Sequence, residues 1–226
     1  MSAIESRLLH LQQRIECACQ ASGRNLTEIT LIGVSKTVDR AAIDAAYAAG
    51  LRDFGENRVQ DATAKLVENW PSDARRHLVG SLQSNKAAVA VRIFDLIHSV
   101  DRPSLIDELR KQAVRQERQV AVLLQVNIAM EPQKSGCDPT NAQSLARSIA
   151  EAPELDLKGL MTIAPLVERA ELARPVFTGL RELRDQMQDT LGVSLPVLSM
   201  GMTNDFEIAI EEGATHLRIG RALFNS

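Results

Sequence analysis

Lys36 closes the run Val34-Ser35-Lys36, directly after an apolar stretch that begins at Ile29. A lysine mounted there suits carbonyl chemistry. Shielding an amine from water favours its neutral form, and the neutral amine attacks a carbonyl carbon. The competing reading is a solvated lysine at a strand exit. A second group, Ser199-Met200-Gly201-Met202-Thr203-Asn204-Asp205, sets two hydroxyls around a glycine ahead of a helical pattern. Backbone amides at a helix start can cradle a phosphate, and hydroxyls add donors. Plain capping by Thr203, Asn204 or Asp205, with Gly201 as a turn residue, is the simpler alternative. Arg218-Ile219-Gly220-Arg221 supplies another turn. His77 reads either as a satisfied core histidine or as a ligand contact.

These residues need a scaffold that brings distant segments together. Ser2 to about Ala21 places Ile4, Leu8, Leu11 and Ile15 at helical spacing, which predicts an amphipathic helix over 2–22. Eight short apolar strands follow, most trailed by a helical pattern: Ile29–Ser35, Leu51–Phe54, His77–Gly80, Asp95–Ser99, Val120–Ile128, Leu157–Met161, Pro196–Ser199 and Thr215–Ile219. The continuous apolar stretch from Val120 reads as a strand buried on both faces. Asp101 before Pro103 and Asp138 before Pro139 are signals for helix starts. Eight strands separated by helices are what a closed (β/α)8 TIM barrel requires. An open doubly wound sheet often carries a glycine fingerprint after its first strand, and Val34-Ser35-Lys36-Thr37 has none. No linker interrupts the series, so residues 1–226 read as a single barrel domain with an added N-terminal helix.

Composition narrows the function classes. The chain is 45% hydrophobic and 24% charged, with a formal net charge of -3, so nothing points to nucleic acid. Its one basic run, from Arg110 to Arg118, is interrupted by Glu117 and reads as a solvated helix face. Cys17, Cys19 and Cys137 are too few and too unevenly placed for a disulfide framework or a metal site. Glu5 and Arg7 break any apolar leader, and no stretch reaches the roughly 18 apolar residues of a membrane span. The expectation is a cytoplasmic protein with no membrane partner.

In a barrel the site forms at the C-terminal ends of the strands. The polar residues expected there are Lys36; Glu56 and Asn57; Ser81, Gln83, Asn85 and Lys86; and His98, Ser99 and Asp101. Asn127, Thr162, Ser199, Gly201, Thr203, Arg218 and Gly220 complete the set. Barrels often bind phosphate between strands seven and eight, and both candidate turns lie there. A phosphorylated ligand is therefore expected.

Several blocks together carry a family likeness. They include Gly33-Val-Ser-Lys36, Phe54-Gly-Glu-Asn57, His77-Leu-Val-Gly-Ser-Leu-Gln-Ser-Asn-Lys86, His98-Ser-Val-Asp-Arg102 and Gln125-Val-Asn127. Gly159-Leu-Met-Thr162, Leu198-Ser-Met-Gly-Met-Thr-Asn-Asp-Phe206 and Leu217-Arg-Ile-Gly220 extend the match over about residues 29 to 224. The chain resembles the pyridoxal phosphate homeostasis proteins, related to the barrel domain of alanine racemase. The resemblance implies a fold-type III barrel in which Lys36 holds pyridoxal 5'-phosphate (PLP) as a Schiff base. It implies that Ser199, Met200, Gly201, Thr203, Gly220 and Arg221 surround the phosphate, that Arg218 faces the pyridine nitrogen, and that Asn57, His77 and Met161 lie near the ring. No metal is implied. Arg58 stands where the family more often has tyrosine, and Arg221 where a small hydroxyl residue is usual.

The resemblance further implies a monomer that holds PLP in vitamin B6 homeostasis, affects amino- and keto-acid balance, and has PLP-dependent apoenzymes as recipients. The enzymatic alternative is an amino-acid racemase. Racemases of this fold draw a tyrosine base from a second domain, whereas Tyr47, the one tyrosine here, falls in the helix after strand one. That favours a protein without efficient catalysis.

Overall fold

The computed structural model describes residues 2–224. Eight parallel strands close into a barrel in sequence order: β1 (Thr30–Val34), β2 (Asp53–Glu56), β3 (Arg75–Leu78), β4 (Leu96–Val100), β5 (Val120–Gln125), β6 (Leu155–Met161), β7 (Val197–Ser199) and β8 (His216–Ile219). Closure comes from β1 pairing with β8 over Thr30–His216 to Gly33–Ile219. Every strand then has two neighbours, so no edge is left open. The expected (β/α)8 architecture is what the chain forms.

The helices are α1 (Ala3–Ser22), α2 (Arg40–Ala48), α3 (Val59–Lys65), α4 (Ala87–Ile93), α5 (Pro103–Arg115), α6 (Pro139–Ala150), α7 (Arg174–Leu191), α8 (Phe206–Glu211) and α9 (Arg221–Phe224). Local chemistry fixes their ends. Ser2 and Glu5 form a capping box on α1, and Gly23 ends it at φ 68°. Asp39 caps α2, and Asp138 accepts from Thr140 N ahead of Pro139. The cap expected of Asp101 is not made. Arg102 holds the cap position of α5, and Asp101 pairs with the Arg102 side chain at 2.7 Å.

The main core lies between the barrel and its helices, where Phe54, Phe94, Phe177 and Phe206 are fully buried. Leu8, Leu11 and Ile15 bury one face of α1, which packs on α8 and α9. Arg14 lies 4.6 Å from the Phe206 ring, and Arg24 Nη1 donates to the carbonyls of Ile210 and Ala214. The added helix thus braces the segment that follows β7. A separate, smaller apolar cluster of Leu96, Leu123 and Met161 fills part of the barrel interior.

Some boundaries differ from the sequence reading. β2 runs to Glu56 rather than stopping at Phe54, because Gly55 and Glu56 stay in the ladder opposite His77 and Leu78. β5 ends at Gln125, and Val126 makes only an isolated bridge to Cys137 before the chain turns away. His98 and Ser99 lie within β4, fully inside the fold.

Candidate functional site

A cavity of about 800 Å³ opens at the C-terminal ends of the strands. Lys36 stands on its wall two residues past β1, and its side chain is exposed rather than shielded from water. What holds this corner is a neighbouring lysine. Lys65 Nζ donates to Ser35 O at 2.7 Å and Val38 O at 3.3 Å, and meets Glu56 Oε1 at 2.6 Å. Ser35 Oγ bonds the same Glu56 oxygen at 2.6 Å. The buried Glu56 carboxylate is thereby neutralised by Lys65. Among the described residues Lys36 forms no ion pair, which leaves its amine to the cavity.

Asn57 sits on the adjacent wall, pinned by Gly80. A Cβ at Gly80 would lie 2.3 Å from the Asn57 carbonyl oxygen, so the two backbones touch where no side chain fits. A shallower depression of about 720 Å³ continues from this point past Arg58, Gln83 and Lys86. Ser81 lines the main cavity and bonds Ser135 of the loop after β5. Gln125 Nε2 also donates to Ser135 O, at 3.0 Å.

Across the cavity lie the turns after β7 and β8. Thr203, Gly220 and Arg221 line it. Gly201 has φ 91°, and a Cβ there would meet the Ala209 Cβ at 2.6 Å, so this turn needs glycine to lie flat on α8. Asp205 does not cap α8. Its carboxylate reaches back to Met202 N at 2.6 Å and closes the turn. Burial raises the Asp205 pKa, opposed by the Met202 N–H and the Arg218 charge. The first N–H groups of α9, from Arg221, have no carbonyl in the helix to bond.

Arg218 rises from β8 onto the cavity wall and is itself 5% exposed. Its Nη1 donates to Ser199 Oγ at 2.6 Å and its Nη2 to Thr162 O at 2.7 Å. Burial lowers its pKa to about 10, with Asp205 acting against that. The guanidinium stays charged near neutrality and can only donate.

The expected site residues thus divide into two groups. Lys36, Asn57, Thr203, Arg218, Gly220 and Arg221 share the cavity. His77, Met161, Ser199 and Met200 are buried off its wall, and Gly201 shapes the turn behind it. His77 bonds Asp53 and His98 inside the barrel, Met161 packs with Leu96 and Leu123, and Met200 joins the outer core. Ser199 Oγ is occupied by Arg218 and His98, so its hydroxyl is turned inward rather than toward a phosphate. These placements follow from strand alternation, which sends the side chains of β3, β6 and β7 at those positions inside. Sequence reading did not assign Gln125 or the apolar wall from Ile163 to Val167 to the site, and named Asp205 only within the candidate phosphate segment and as a helix cap. Only the position of that wall after strand six could have flagged it.

Tyr47 lies at the other end of the barrel. Its hydroxyl donates to Asp73, ahead of β3, and Arg52 covers its ring at 4.3 Å. Among the described residues no cluster of histidine, cysteine and carboxylate side chains could hold a metal. No helix there is long and apolar enough to cross a membrane.

Comparison with known proteins places this geometry. Residues 9–226 match the family described as alanine racemase, N-terminal domain. The chain is 44% identical over 224 residues to the pyridoxal phosphate homeostasis protein of Aquifex aeolicus, covering 99% of this chain and 98% of that one. The corresponding protein of Pseudomonas aeruginosa is 43% identical over 227 residues, covering 100% and 96%. PipY of Synechococcus elongatus, solved with PLP bound, superposes with a TM-score of 0.86 at 39% identity, covering 98% and 99%.

Proposed function

The chain belongs to the pyridoxal phosphate homeostasis protein family, and on that premise we propose that it is a reversible PLP carrier anchored at Lys36. The observation that carries this reading is an exposed lysine, without an ion pair among the described residues, on the wall of a cavity whose far side presents Arg218 and two phosphate-type turns.

The residues present fit the cofactor. When bound, PLP supplies an aldehyde that condenses with a primary amine, releasing water, and so exchanges between amines. Lys36 and Lys134 both line the cavity, but Lys134 is paired with Glu131 and the nearby Lys65 is held by Ser35, Val38 and Glu56, which leaves Lys36 as the amine to condense. Thr203 and the backbone around Gly220 and Arg221 would hold the phosphate, with Gly201 shaping the turn. Asn57 would border the ring. Arg218 donates but cannot accept a proton, so it would favour an unprotonated pyridine nitrogen. An unprotonated ring withdraws electrons weakly, which suits storage better than carbanion chemistry.

The non-catalytic reading is supported by Tyr47, which sits at the end of the barrel opposite Lys36. Two-base chemistry needs groups on both faces of the substrate. In this reading residues 1–226 act as one cytoplasmic, monomeric barrel domain that keeps free aldehyde low, influences amino- and keto-acid balance and passes PLP to apoenzymes. Among the described residues every barrel strand is paired on both sides, which removes edge-to-edge pairing with a second copy and supports the monomer to that extent.

The test is an absorbance spectrum of the protein loaded with PLP, before and after borohydride reduction. The expected result is a band above the free-amine baseline that is lost on reduction, with the added mass on Lys36. Lys36→Ala should abolish both the band and the adduct. Steady amino-acid turnover that depends on Lys36 would overturn the carrier reading in favour of a racemase.

A further inference from the structure

We infer that Asp53, His77, His98 and Ser199 are positioning residues, forming a one-directional chain of hydrogen bonds through the barrel that fixes Arg218 at the cavity wall. The chain begins at the N-terminal end of the barrel. Asp53 Oδ1 is 2.9 Å from His77 Nε2, His77 Nδ1 is 3.0 Å from His98 Nε2, and His98 Nδ1 is 2.9 Å from Ser199 Oγ. Arg218 Nη1 then reaches Ser199 Oγ at 2.6 Å. All five side chains are buried, the most exposed being Asp53 at 6%.

Counting donors assigns the protons. Arg218 can only donate, so Ser199 Oγ accepts from it and has one O–H left to give. Among the described residues, the one acceptor for that O–H is His98 Nδ1. His98 Nδ1 is then bare, so its Nε2 carries the proton and donates to His77 Nδ1. His77 in turn carries its proton on Nε2 and donates to Asp53. Every group is satisfied with both rings neutral. The reverse arrangement requires a proton on His98 Nδ1 and either a charged His77 or a protonated Asp53. Ser199 would then accept twice, leaving its own proton without a partner in a buried site.

The surroundings agree. Burial would raise the Asp53 carboxyl, but the hydrogen bond from His77 and the bond and charge of Arg75 outweigh it and hold the pKa below the usual carboxylate value. Arg75 Nε meets Asp53 Oδ1 at 2.8 Å, and Arg75 Nη2 donates to Oδ2 at 2.9 Å. Burial keeps His98 well below the ordinary imidazole value, and the charge of Arg218 acts in the same direction. His216 faces the same interior, 6.2 Å from the His77 ring centre, and burial lowers its pKa to about 3. The apolar Leu96, Leu123 and Met161 fill a separate part of the interior and offer no competing donor. Arg218 is therefore held by side chains whose bonding has only one satisfied direction, and Thr162 O fixes its second nitrogen.

The effect on ligand binding rests on the carrier reading above; the proton assignment does not. In ¹⁵N-histidine-labelled full-length protein without PLP, two-bond proton–nitrogen correlations at pH 7.5 should show His77 and His98 neutral, each protonated on Nε2. A proton on His98 Nδ1, or a charged His77, would overturn the chain. In the second arm PLP is titrated into the parent, Ser199→Ala and Ser199→Thr proteins. Loss of a hydrogen bond to a charged group predicts about tenfold weaker binding for Ser199→Ala, a shifted absorbance maximum, and recovery in Ser199→Thr. A folded Ser199→Ala protein that binds PLP and absorbs like the parent would refute the positioning role. If the parent itself fails to retain PLP, the carrier reading falls and the proton positions alone decide the chain. If Ser199→Ala fails to fold, they likewise decide it.

Discussion

At the N-terminal end of the barrel four arginines are paired with carboxylates: Arg52 bonds Asp73, Arg75 grips Asp53, and Arg76 and Arg118 share Asp95. At the C-terminal end Lys36, Arg58, Lys86 and Arg221 border the two cavities and form no ion pair among the described residues. The total charge hides this difference, because the formal net charge is only -3. Paired cations at one end add modestly to stability, whereas unpaired ones at the other draw an anionic ligand inward. The interior joins the two ends through Asp53, His77, His98, Ser199 and Arg218.

Acid should break this contrast most severely. His216 has a folded pKa of about 3 against an ordinary 6.5, so its depressed value makes the unfolded chain bind more protons between those limits. Stability is then fully present above 6.5 and falls as the pH drops toward 3. His98, lowered in the same direction, adds to the slope. Asp53, also lowered, contributes stability above its unfolded value of 3.8 that is lost as pH falls through the folded value. Urea unfolding at a series of pH values checks this, and a flat profile from 6.5 to 4 would refute it.

Gly80→Ala tests the open end alone. The added Cβ collides with the Asn57 backbone at 2.3 Å and must displace one cavity wall. We expect about 1–3 kcal/mol of lost stability and PLP binding weakened by an amount that calorimetry would resolve. Arg221→Ala should weaken binding of inorganic phosphate and PLP by about threefold, on the order of 0.5–1 kcal/mol for an exposed charge, and leave the unfolding midpoint unchanged. An equal loss of stability would make Arg221 structural. Arg52→Ala, at the paired end, should cost less than about 1 kcal/mol and leave PLP binding as it was. A changed PLP affinity there would erase the division between the ends.

Much of this architecture was legible in the residues. Apolar runs and helix stops gave eight strands and their order, since the barrel's outer face is built from contiguous sequence. The boundaries that moved are those where polar residues stay in a ladder. Glu56 looks like a loop residue until Lys65 is seen to neutralise it. Lys36, Thr203, Arg218 and Gly220 were readable because barrel sites follow strand ends. His77 and Ser199 were assigned to the ligand, but their side chains point into the barrel, where their partners come from β2, β4 and β8. Strand alternation indicates which face a residue takes. It does not show which strand supplies the partner across the interior.

The Lys65 brace has a consequence for selectivity. Lys65 Nζ lies 2.7 Å from Ser35 O, the carbonyl next in the chain to Lys36, yet it is not available as a nucleophile. An ammonium group has three protons, and those of Lys65 are directed to Ser35 O, Val38 O and Glu56 Oε1. Releasing it would strand a buried carboxylate. An electrophile entering this corner therefore encounters an unequal pair, and the fold directs it to Lys36 by keeping the second lysine occupied.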